Sequence, residues 1–282
     1  MTPSPLPNLS VAIVCKDNIA TIWRTIESVR DLASEIVAVD SGSTDGTIEL
    51  LESRGVRIIK SDWLGHIKTK QKALEACTLE WTLCIDSDES LESTLAQGIR
   101  SILTGATAID KLASVSGPPG PNRIDGFEIN RVTYYKGQPL RHVWQPEWRL
   151  RLVRRNTAHW RGFDPHDQLA LLDNNARPFR LGTGGDLPTG HLRHDSFPTF
   201  SEHMRKQWSH ATTMARSLHA AGVRGSYFRL IVSPPGAFIK QLVFKRGFLD
   251  GYPGWLAAAS TAVAALIKHA TLIELENDRE SK

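Results

Sequence analysis

The stretch WTLCIDSDES, residues 81–90, decides how this chain folds. Its first five residues form a continuous apolar run, which is typical of a strand buried on both faces of a parallel sheet. The run leads directly into three acidic residues, Asp86, Asp88 and Glu89. Like charges held a few ångströms apart repel each other, and a bound divalent cation removes that cost. The stretch therefore predicts either an Asp-x-Asp metal site or an acidic turn that caps a helix.

Apolar runs of strand length alternate with helical segments over the first ninety or so residues. Continuous runs occur at residues 9–15, 35–39 and 56–59, ahead of the run at 81–85. Between them, apolar residues recur with the spacing of amphipathic helices. This alternation predicts an α/β fold with a Rossmann-like, mostly parallel sheet.

Acidic residues follow three of these predicted strands. Asp17 comes after the first strand, Asp40 ends the second, and the pair Asp86 and Asp88 ends the fourth. Because ligands bind outside the carboxyl ends of parallel strands, we expect these carboxylates to lie along one edge of the sheet. The glycine motifs of dinucleotide and P-loop folds do not occur in the sequence. The pattern therefore indicates a nucleotide held through a divalent cation, Mg or Mn, rather than by a glycine loop.

The second half of the chain changes character. Residues 125–137 and 142–156 have the pattern of antiparallel strands, with Leu150 and Leu152 alternating against arginines, and residues 197–220 have helical spacing. Residues 104–122 are rich in Gly, Pro, Ser and Thr, which predicts a long loop. The sequence thus predicts an antiparallel extension of the sheet followed by C-terminal helices.

Composition limits the compartment and the partners. The formal net charge of +4 is compatible with an anionic substrate, an anionic membrane surface or nucleic acid. The cysteines Cys15, Cys77 and Cys84 form no CxxC pair, which favours reduced, packed thiols in the cytosol over a metal-thiolate site. The N-terminus lacks the basic and apolar regions of a signal peptide.

The C-terminal region combines basic and apolar residues. An amphipathic, cationic stretch at 238–246 precedes an apolar run from Trp255 to Ile267. That run is shorter than the roughly twenty residues that a bilayer-spanning helix needs. It predicts an interfacial helix on an anionic membrane or a helix packed on the rest of the protein.

Three segments together resemble the family-2 glycosyltransferases: LSVAIVCKDN, EIVAVDSGSTDGT and WTLCIDSDE. The later segments WRLRLVRRN, LRHDSF and KRGFLDG are similar to the bacterial branch that adds glucose-like sugars to the lipopolysaccharide inner core. The resemblance covers roughly residues 9–270. It implies a GT-A fold, a nucleotide-sugar donor and a divalent metal. It also implies a leader at 1–8, a GT-A domain at 9–195 with a donor half at 9–103 and an acceptor half at 123–195, and a helical region at 196–282.

The resemblance implies roles on the donor side. Asp40 is expected on the uracil or ribose side of the donor, near Asp17, and Lys70 near the donor phosphates. Asp86 and Asp88 form the DxD motif, with Asp88 as the direct metal ligand. The first strand ends Lys-Asp-Asn where the branch commonly has Lys-Asn-Glu, so the carboxylate of Asp17 is displaced by one position.

Further roles are implied on the acceptor side. His166 and Asp167 stand where the branch carries His-Glu, so Asp167 is the candidate general base, Glu147 is the reserve, and His166 is a further candidate metal ligand. From local sequence alone, this pair also fits a surface turn after Pro165. Arg151 matches a family arginine that contacts a donor diphosphate or an acceptor phosphate.

These expectations describe an inverting, metal-dependent transferase. The donor is expected to be a UDP-sugar, the acceptor a saccharide or glycolipid such as lipopolysaccharide core, and the location the inner face of the cytoplasmic membrane, with no nucleic-acid partner. A sugar-phosphate nucleotidyltransferase is an alternative, although CKDNIAT, residues 15–21, is not its usual glycine-rich basic loop. A non-catalytic, basic module that binds polysaccharide or nucleic acid is the second alternative.

Overall fold

The computed structural model describes residues 4–105, 124–163, 166–182 and 190–280. The chain divides into two compact units. The first unit comprises Met1–Arg131, Trp148–Gly162 and Asp167–His194, and the second comprises Val132–Glu147, Phe163–His166 and Asp195–Lys282. The loop predicted at 104–122 lies almost wholly outside the described residues, and the predicted domain limits stay a prediction.

The first unit is built on parallel strands in the order β3-β2-β1-β4. β8 pairs antiparallel with β4, and β6 pairs antiparallel with β8. The predicted mostly parallel α/β sheet with an antiparallel extension is thereby confirmed. These strands are β1 (Leu6–Cys15), β2 (Ala33–Asp40), β3 (Arg57–Lys60), β4 (Trp81–Asp86), β6 (Gly126–Tyr135) and β8 (Trp148–Arg154).

Helices pack on both faces of the parallel strands. As a result, β1 buries side chains on each of its faces. Val11 and Ile13 lie in one core cluster, and Ala12 between them lies in the other. The first cluster includes residues of α1 and α4, and the second includes residues of α3, β9 and β10. The helices of this unit are α1 (Ile19–Val29), α2 (Thr47–Ser53), α3 (His66–Ala76) and α4 (Ser93–Leu103).

Short strands complete the sheet region. β5 (Glu89–Leu91) follows β4 after a tight turn and pairs antiparallel with β12 (Leu192–Phe197). β9 (Ala158–Phe163) and β10 (His166–Leu171) pair with each other. Two-residue strands β7 (Gln138–Pro139) and β11 (Phe179–Arg180) both pair with β6.

The second unit contains three long helices: α5 (Phe200–Ala220), α6 (Tyr227–Ile239) and α7 (Gly251–Glu280). A π-helical turn (Lys240–Phe244) and a 3-10 turn (Gly247–Asp250) connect α6 to α7. Helix α7 packs against α5 and α6, and buried His203 on α5 lies 3.0 Å from Ser260 Oγ on α7.

The apolar run Trp255–Ile267 belongs to a helix of 30 residues. The argument that this segment is too short to cross a bilayer is therefore wrong. Among the described residues, 247–278 has the length and the mean hydropathy, 1.5, of a membrane span, and 33% of the most apolar window is buried within the protein. Length and composition alone are weak evidence, because the core helix of a soluble protein has the same properties.

Candidate active site

The carboxyl ends of β1, β2 and β4 lie side by side. In the parallel register, Cys15 pairs with Asp40 and Val14 pairs with Asp86. The register thus brings the acidic strand ends to one edge of the sheet, as the sequence predicts. That edge is where ligands bind in sheets of this kind.

Hydrogen bonds tie the loops after β1 and β2 together. Asp17, which has a positive φ of 52°, accepts a bond from Thr44 N at 2.8 Å on Oδ1 and donates its own N–H to Ser43 Oγ at 2.9 Å. Asp45 Oδ2 accepts from Ile19 N at 2.9 Å, at the start of α1. These hydrogen bonds hold the loops after β1 and β2 together as one rigid surface at the sheet edge, which we call the ledge.

Asp40 is buried and stabilises the part of the ledge that follows β2. Its Oδ1 accepts bonds from Gly42 N at 2.9 Å and Ser43 N at 3.0 Å, and its Oδ2 accepts from Ser43 Oγ. Burial opposes ionisation, but these hydrogen bonds hold the pKa of Asp40 below its ordinary value. The carboxylate is thus fully engaged in the turn, which fits a residue that positions a ligand-binding loop.

An open cleft of about 660 Å³ adjoins the ledge. Its size is within the usual range for small-molecule sites. Its lining comes from the ends of β2 and β3, from the start of α2 and from α3. The lining residues are Asp40, Gly42, Ile48, Lys60, Ser61, Asp62, Leu64 and Lys72.

Lys70 joins two carboxylates that are distant in sequence. Its Nζ lies 2.6 Å from Asp86 Oδ1 and 2.8 Å from Asp167 Oδ2, and 4.8 Å from the centre of the Trp160 ring. Burial lowers the pKa of the ammonium, but the two carboxylates raise it above its ordinary value overall. Three residues that were predicted separately therefore meet in one buried contact.

A second set of ion pairs lies behind Asp86. Glu89 is fully buried, and its Oε1 contacts Arg151 Nη2 at 2.6 Å and Arg131 Nη1 at 3.0 Å. Arg151 Nη2 also contacts Asp86 Oδ2 at 3.2 Å. Burial alone would raise the pKa values of Asp86 and Glu89, but the neighbouring cations hold both below their ordinary values.

Lys70, Arg131 and Arg151 compensate the charges of Asp86, Glu89 and Asp167 within this network. The metal-ligand role of Asp88 stays a prediction. The antiparallel strand predicted here is confirmed as β8, which pairs with β4 and β6. Its residues Leu150, Arg151 and Leu152 are all buried.

Asp88 lies on the turn after Asp86, and His194 Nε2 is 3.6 Å from its Oδ2. The pairing of β12 with β5 places His194 opposite Glu89 and so beside the turn. Burial and the nearby Arg131 guanidinium lower the pKa of His194, although Asp88 opposes this shift. The imidazole is therefore neutral near pH 7, the form that binds metals.

Contacts from α1 fix the turn that carries Asp88. Thr25 Oγ1 donates to the carbonyl of Ser87 at 3.0 Å, and Leu91 N donates to Ser28 Oγ at 3.1 Å. Asp86 N donates to Glu89 Oε2 at 3.0 Å within the turn itself. These hydrogen bonds thus fix the backbone position from which the carboxylate of Asp88 extends.

The residues present fit a divalent cation only in part. No group of three or more His, Cys, Asp or Glu side chains is arranged to hold a metal within the described parts of the chain. Asp88 and His194 offer one oxygen and one nitrogen donor, whereas Asp86 is committed to Lys70 and Arg151. Magnesium in nucleotide enzymes is commonly held by one or two protein ligands plus substrate phosphates, and this donor set suits that arrangement.

Two further predicted residues belong to the second unit. Glu147 belongs to the second unit, immediately before β8, and is half-buried. His166 also belongs to the second unit, and its side chain lies outside the described structure. Both assignments stay predictions.

Comparisons with known proteins agree with the pattern. The family model described as glycosyl transferase family 2 matches residues 10–156, more than half of the chain. The lipopolysaccharide core biosynthesis glycosyltransferase LpsC of Rhizobium meliloti is 30% identical over 273 residues, which cover 94% of this chain and 92% of LpsC.

Two solved structures match the chain at low identity and low TM-score. S. aureus TarS in complex with UDP-GlcNAc is 15% identical with a TM-score of 0.44, covering 98% of this chain and 92% of that one. Glucosyl-3-phosphoglycerate synthase from Mycobacterium tuberculosis was solved with Mn²⁺, UDP-glucose and phosphoglyceric acid. It is 22% identical with a TM-score of 0.31, covering 46% of this chain and 45% of that one.

Proposed function

The chain belongs to glycosyl transferase family 2, and from that premise we propose an inverting, metal-dependent enzyme that moves a glucose-like sugar from a UDP-sugar donor. The proposed acceptor is a saccharide or glycolipid of the lipopolysaccharide core. The name of LpsC, which aligns along nearly the whole chain, supports that acceptor class. The proposed location is the cytoplasm, at the inner face of the membrane where a lipid-linked acceptor is within reach.

The single observation that carries the proposal is the contact between Lys70, Asp86 and Asp167. These residues come from α3, β4 and β10, and they meet at the carboxyl end of β4. Charged groups are rarely buried without partners, and here every partner is a residue that the family pattern places near the reaction. An ion pair with a purely structural role would not need to join residues that the family pattern places near the reaction.

The cleft beside Asp40 is the proposed nucleoside site. Its volume of about 660 Å³ accommodates a uridine. The diphosphate then extends toward Lys70 and Arg151. Both cations are held by carboxylates that phosphate oxygens can partly replace. We therefore expect the donor phosphates to compete with Asp86 and Asp167 for Lys70 and Arg151.

Asp88 is the proposed metal ligand, with His194 beside it. A divalent cation bound there would act as a Lewis acid and stabilise the negative charge that develops on the leaving diphosphate. The neutral state of His194 and the fixed turn around Asp88 prepare both donors for that role. Asp86 serves instead to orient Lys70 and Arg151.

Asp167 is the proposed general base. An acceptor hydroxyl must lose its proton as it attacks, and a carboxylate positioned within hydrogen-bond reach removes it. In the structure, Lys70 Nζ lies 2.8 Å from Asp167 Oδ2 and occupies that oxygen. When the donor phosphates attract Lys70, this oxygen becomes free to accept the proton of the acceptor hydroxyl. Direct attack on the anomeric carbon then inverts its configuration.

A transfer assay tests this function. Purified protein is incubated with UDP-glucose and core-truncated lipopolysaccharide, with Mn²⁺, with Mg²⁺ or with a chelator. We expect a metal-dependent gain of one hexose by mass spectrometry and inversion at the anomeric carbon by NMR. Asp88→Ala abolishes the gain, whereas Asp31→Ala, a change at an exposed carboxylate, preserves it. Retention of configuration, or no transfer from any nucleotide-sugar in a panel, would contradict the proposal.

A further inference from the structure

Helix α6 turns an apolar face to solvent. It has no buried residue, although most of its side chains are apolar. Tyr227, Phe228 and Ile231 are 67%, 74% and 72% exposed. Exposed apolar positions recur at intervals of one, three and four residues, which places them on one side of the helix. We call this surface the apolar stripe: Tyr227, Phe228, Ile231, Val232, Ile239 and Phe244.

The apolar stripe continues past the end of α6. Phe244, in the π-helical turn, is 78% exposed, and Tyr252 and Trp255 at the start of α7 are also exposed. Contiguous apolar surface of this kind is uncommon on soluble monomers and marks a site that another surface covers. Aromatic side chains are enriched where proteins meet the headgroup region of a bilayer.

Within the segment that carries the apolar stripe, the charges at the surface have one sign, and Arg224 at its start lies 3.8 Å from Glu276 of α7. Residues 224–255 contain five basic residues and one acidic residue. The acidic residue, Asp250, is buried and accepts bonds from the backbone N–H groups of residues 141–143. The basic residues are Arg224, Arg229, Lys240, Lys245 and Arg246.

We propose that the apolar stripe docks on an anionic lipid bilayer, with its aromatic side chains inserted at the headgroup level and the basic residues paired with lipid phosphates. This proposal rests on the proposed function in one respect only, since a lipid-linked acceptor is the reason for the protein to contact a membrane. The positive charge selects an anionic partner, and the breadth of exposed apolar surface favours a bilayer over a hydrophilic polyanion.

The docking surface shares residues 238–246 with the one that the sequence suggests, and it extends from there along α6 rather than along α7. The apolar run Trp255–Ile267 includes residues that are fully buried, Ala257, Ala258 and Ser260. Helix α7 also makes polar contacts along its length, from Thr261 with Trp144 Nε1 to Glu276 with Gly225 N. These contacts tie α7 to the rest of the second unit, whereas no residue of α6 is buried.

Vesicle flotation tests the proposal directly. The probes are vesicles of pure phosphatidylcholine and vesicles with roughly 30% phosphatidylglycerol, at about 0.1 M and about 1 M salt. We expect binding to the anionic vesicles at low salt and much less in the other conditions. The variant Phe228→Ser with Ile231→Ser lowers the partition coefficient by about tenfold or more, because two highly exposed apolar side chains no longer insert.

Two matched variants separate the contributions. Arg229→Gln with Lys240→Gln reduces binding by about fivefold for each charge and weakens its salt dependence. The control pair Trp23→Ser with Leu172→Ser removes apolar side chains that are 45% and 56% exposed in the first unit and leaves binding unchanged. The thermal midpoint of each variant is compared with that of the parent. Because the substituted residues are exposed, we expect no large loss of stability.

Three results would overturn the proposal. Binding that resists alkaline carbonate extraction shows that a helix spans the bilayer. Equal binding of the Phe228→Ser, Ile231→Ser variant and the parent shows that another surface docks. A dimer that this variant converts to a monomer, with lipid binding unchanged, shows that a second copy covers the apolar stripe. Transfer to a water-soluble acceptor fragment is measured in parallel, so that failure of docking is distinguished from failure of the proposed function.

Discussion

Replacement of Lys70 by methionine tests the buried network most sharply. Methionine keeps most of the side-chain volume but removes the ammonium that lies 2.6 Å from Asp86 and 2.8 Å from Asp167. Removing one member of a buried ion pair typically costs 3–5 kcal/mol, because the remaining charge loses its partner. Asp86 is 22% exposed and keeps Arg151, so we expect a loss of about 3 kcal/mol at pH 7.

The pH dependence of this loss has a defined sign. In the parent, the cations hold the pKa of Asp86 below its ordinary value of 3.8, so its stabilising contribution is present above that pH and is lost below it. Without Lys70 the pKa of Asp86 rises, and protonation relieves the unpaired charge. The stability difference between parent and variant is therefore largest near neutral pH and narrows as the pH falls toward about 4.

Urea unfolding followed by tryptophan fluorescence at both pH values measures this difference. Lys68→Met is the matched control, because Lys68 is exposed on the same helix, and it should change stability by less than about 0.5 kcal/mol. In the Lys70→Met background, Asp167→Asn should cost less than half of what it costs in the parent. A loss below about 1 kcal/mol, or a loss that is equal at both pH values, would refute the electrostatic account.

The remaining predictions concern the reacting groups and the thiols. Asp167→Asn should retain donor affinity in calorimetry while turnover falls by about a hundredfold or more, and Glu147→Gln should stay active; the opposite result reassigns the base. His194→Ala should raise the Mn²⁺ concentration for half-maximal activity without changing Asp167-dependent proton transfer, read from the pH profile, and an unchanged metal requirement excludes it as a ligand. The three cysteines are buried, and burial, with the nearby Glu35 carboxylate, raises the pKa of Cys77 to about 12. They should therefore resist thiol reagents at pH 8 until the protein is unfolded, and fast native labelling would contradict their burial.

The sequence was sufficient wherever the pattern was local. The strands around 35–39 and 81–85 are continuous apolar runs, and parallel pairing then places Asp40 and Asp86 at one edge. Lys70, Arg151 and Asp167 were found through the resemblance to the family. Periodicity alone does not select one lysine among Lys68, Lys70 and Lys72 in the same helix.

Residues that meet through antiparallel pairing were missed. Arg131 lies 42 residues from Glu89 and reaches it across the sheet, and His194 reaches Asp88 through the pairing of β12 with β5. The one available signal was the need for compensating charge near three acidic residues within four positions, 86–89. That need was assigned to a metal because the sequence does not show which arginines of β6 and β8 turn inward.

The C-terminal region shows the same limit. Hydropathy identified the run Trp255–Ile267, in which Ala257, Ala258, Ser260 and Ile267 are buried. The sequence also indicated the stretch 238–246, but the exposed residues of α6 before Pro234 were not singled out, because a helix interrupted by Pro234 and Pro235 has no simple apolar period in sequence.

The binding of UDP-sugars with and without Mn²⁺ tests the central claim that the edge formed by β1, β2 and β4 is a metal-assisted donor site. Isothermal titration calorimetry of the parent and Asp88→Ala with UDP-glucose makes the measurement. The account predicts binding that strengthens by about tenfold or more with Mn²⁺ in the parent and loses that gain in the variant. Equal affinity with and without metal, or an unchanged gain in Asp88→Ala, would contradict it.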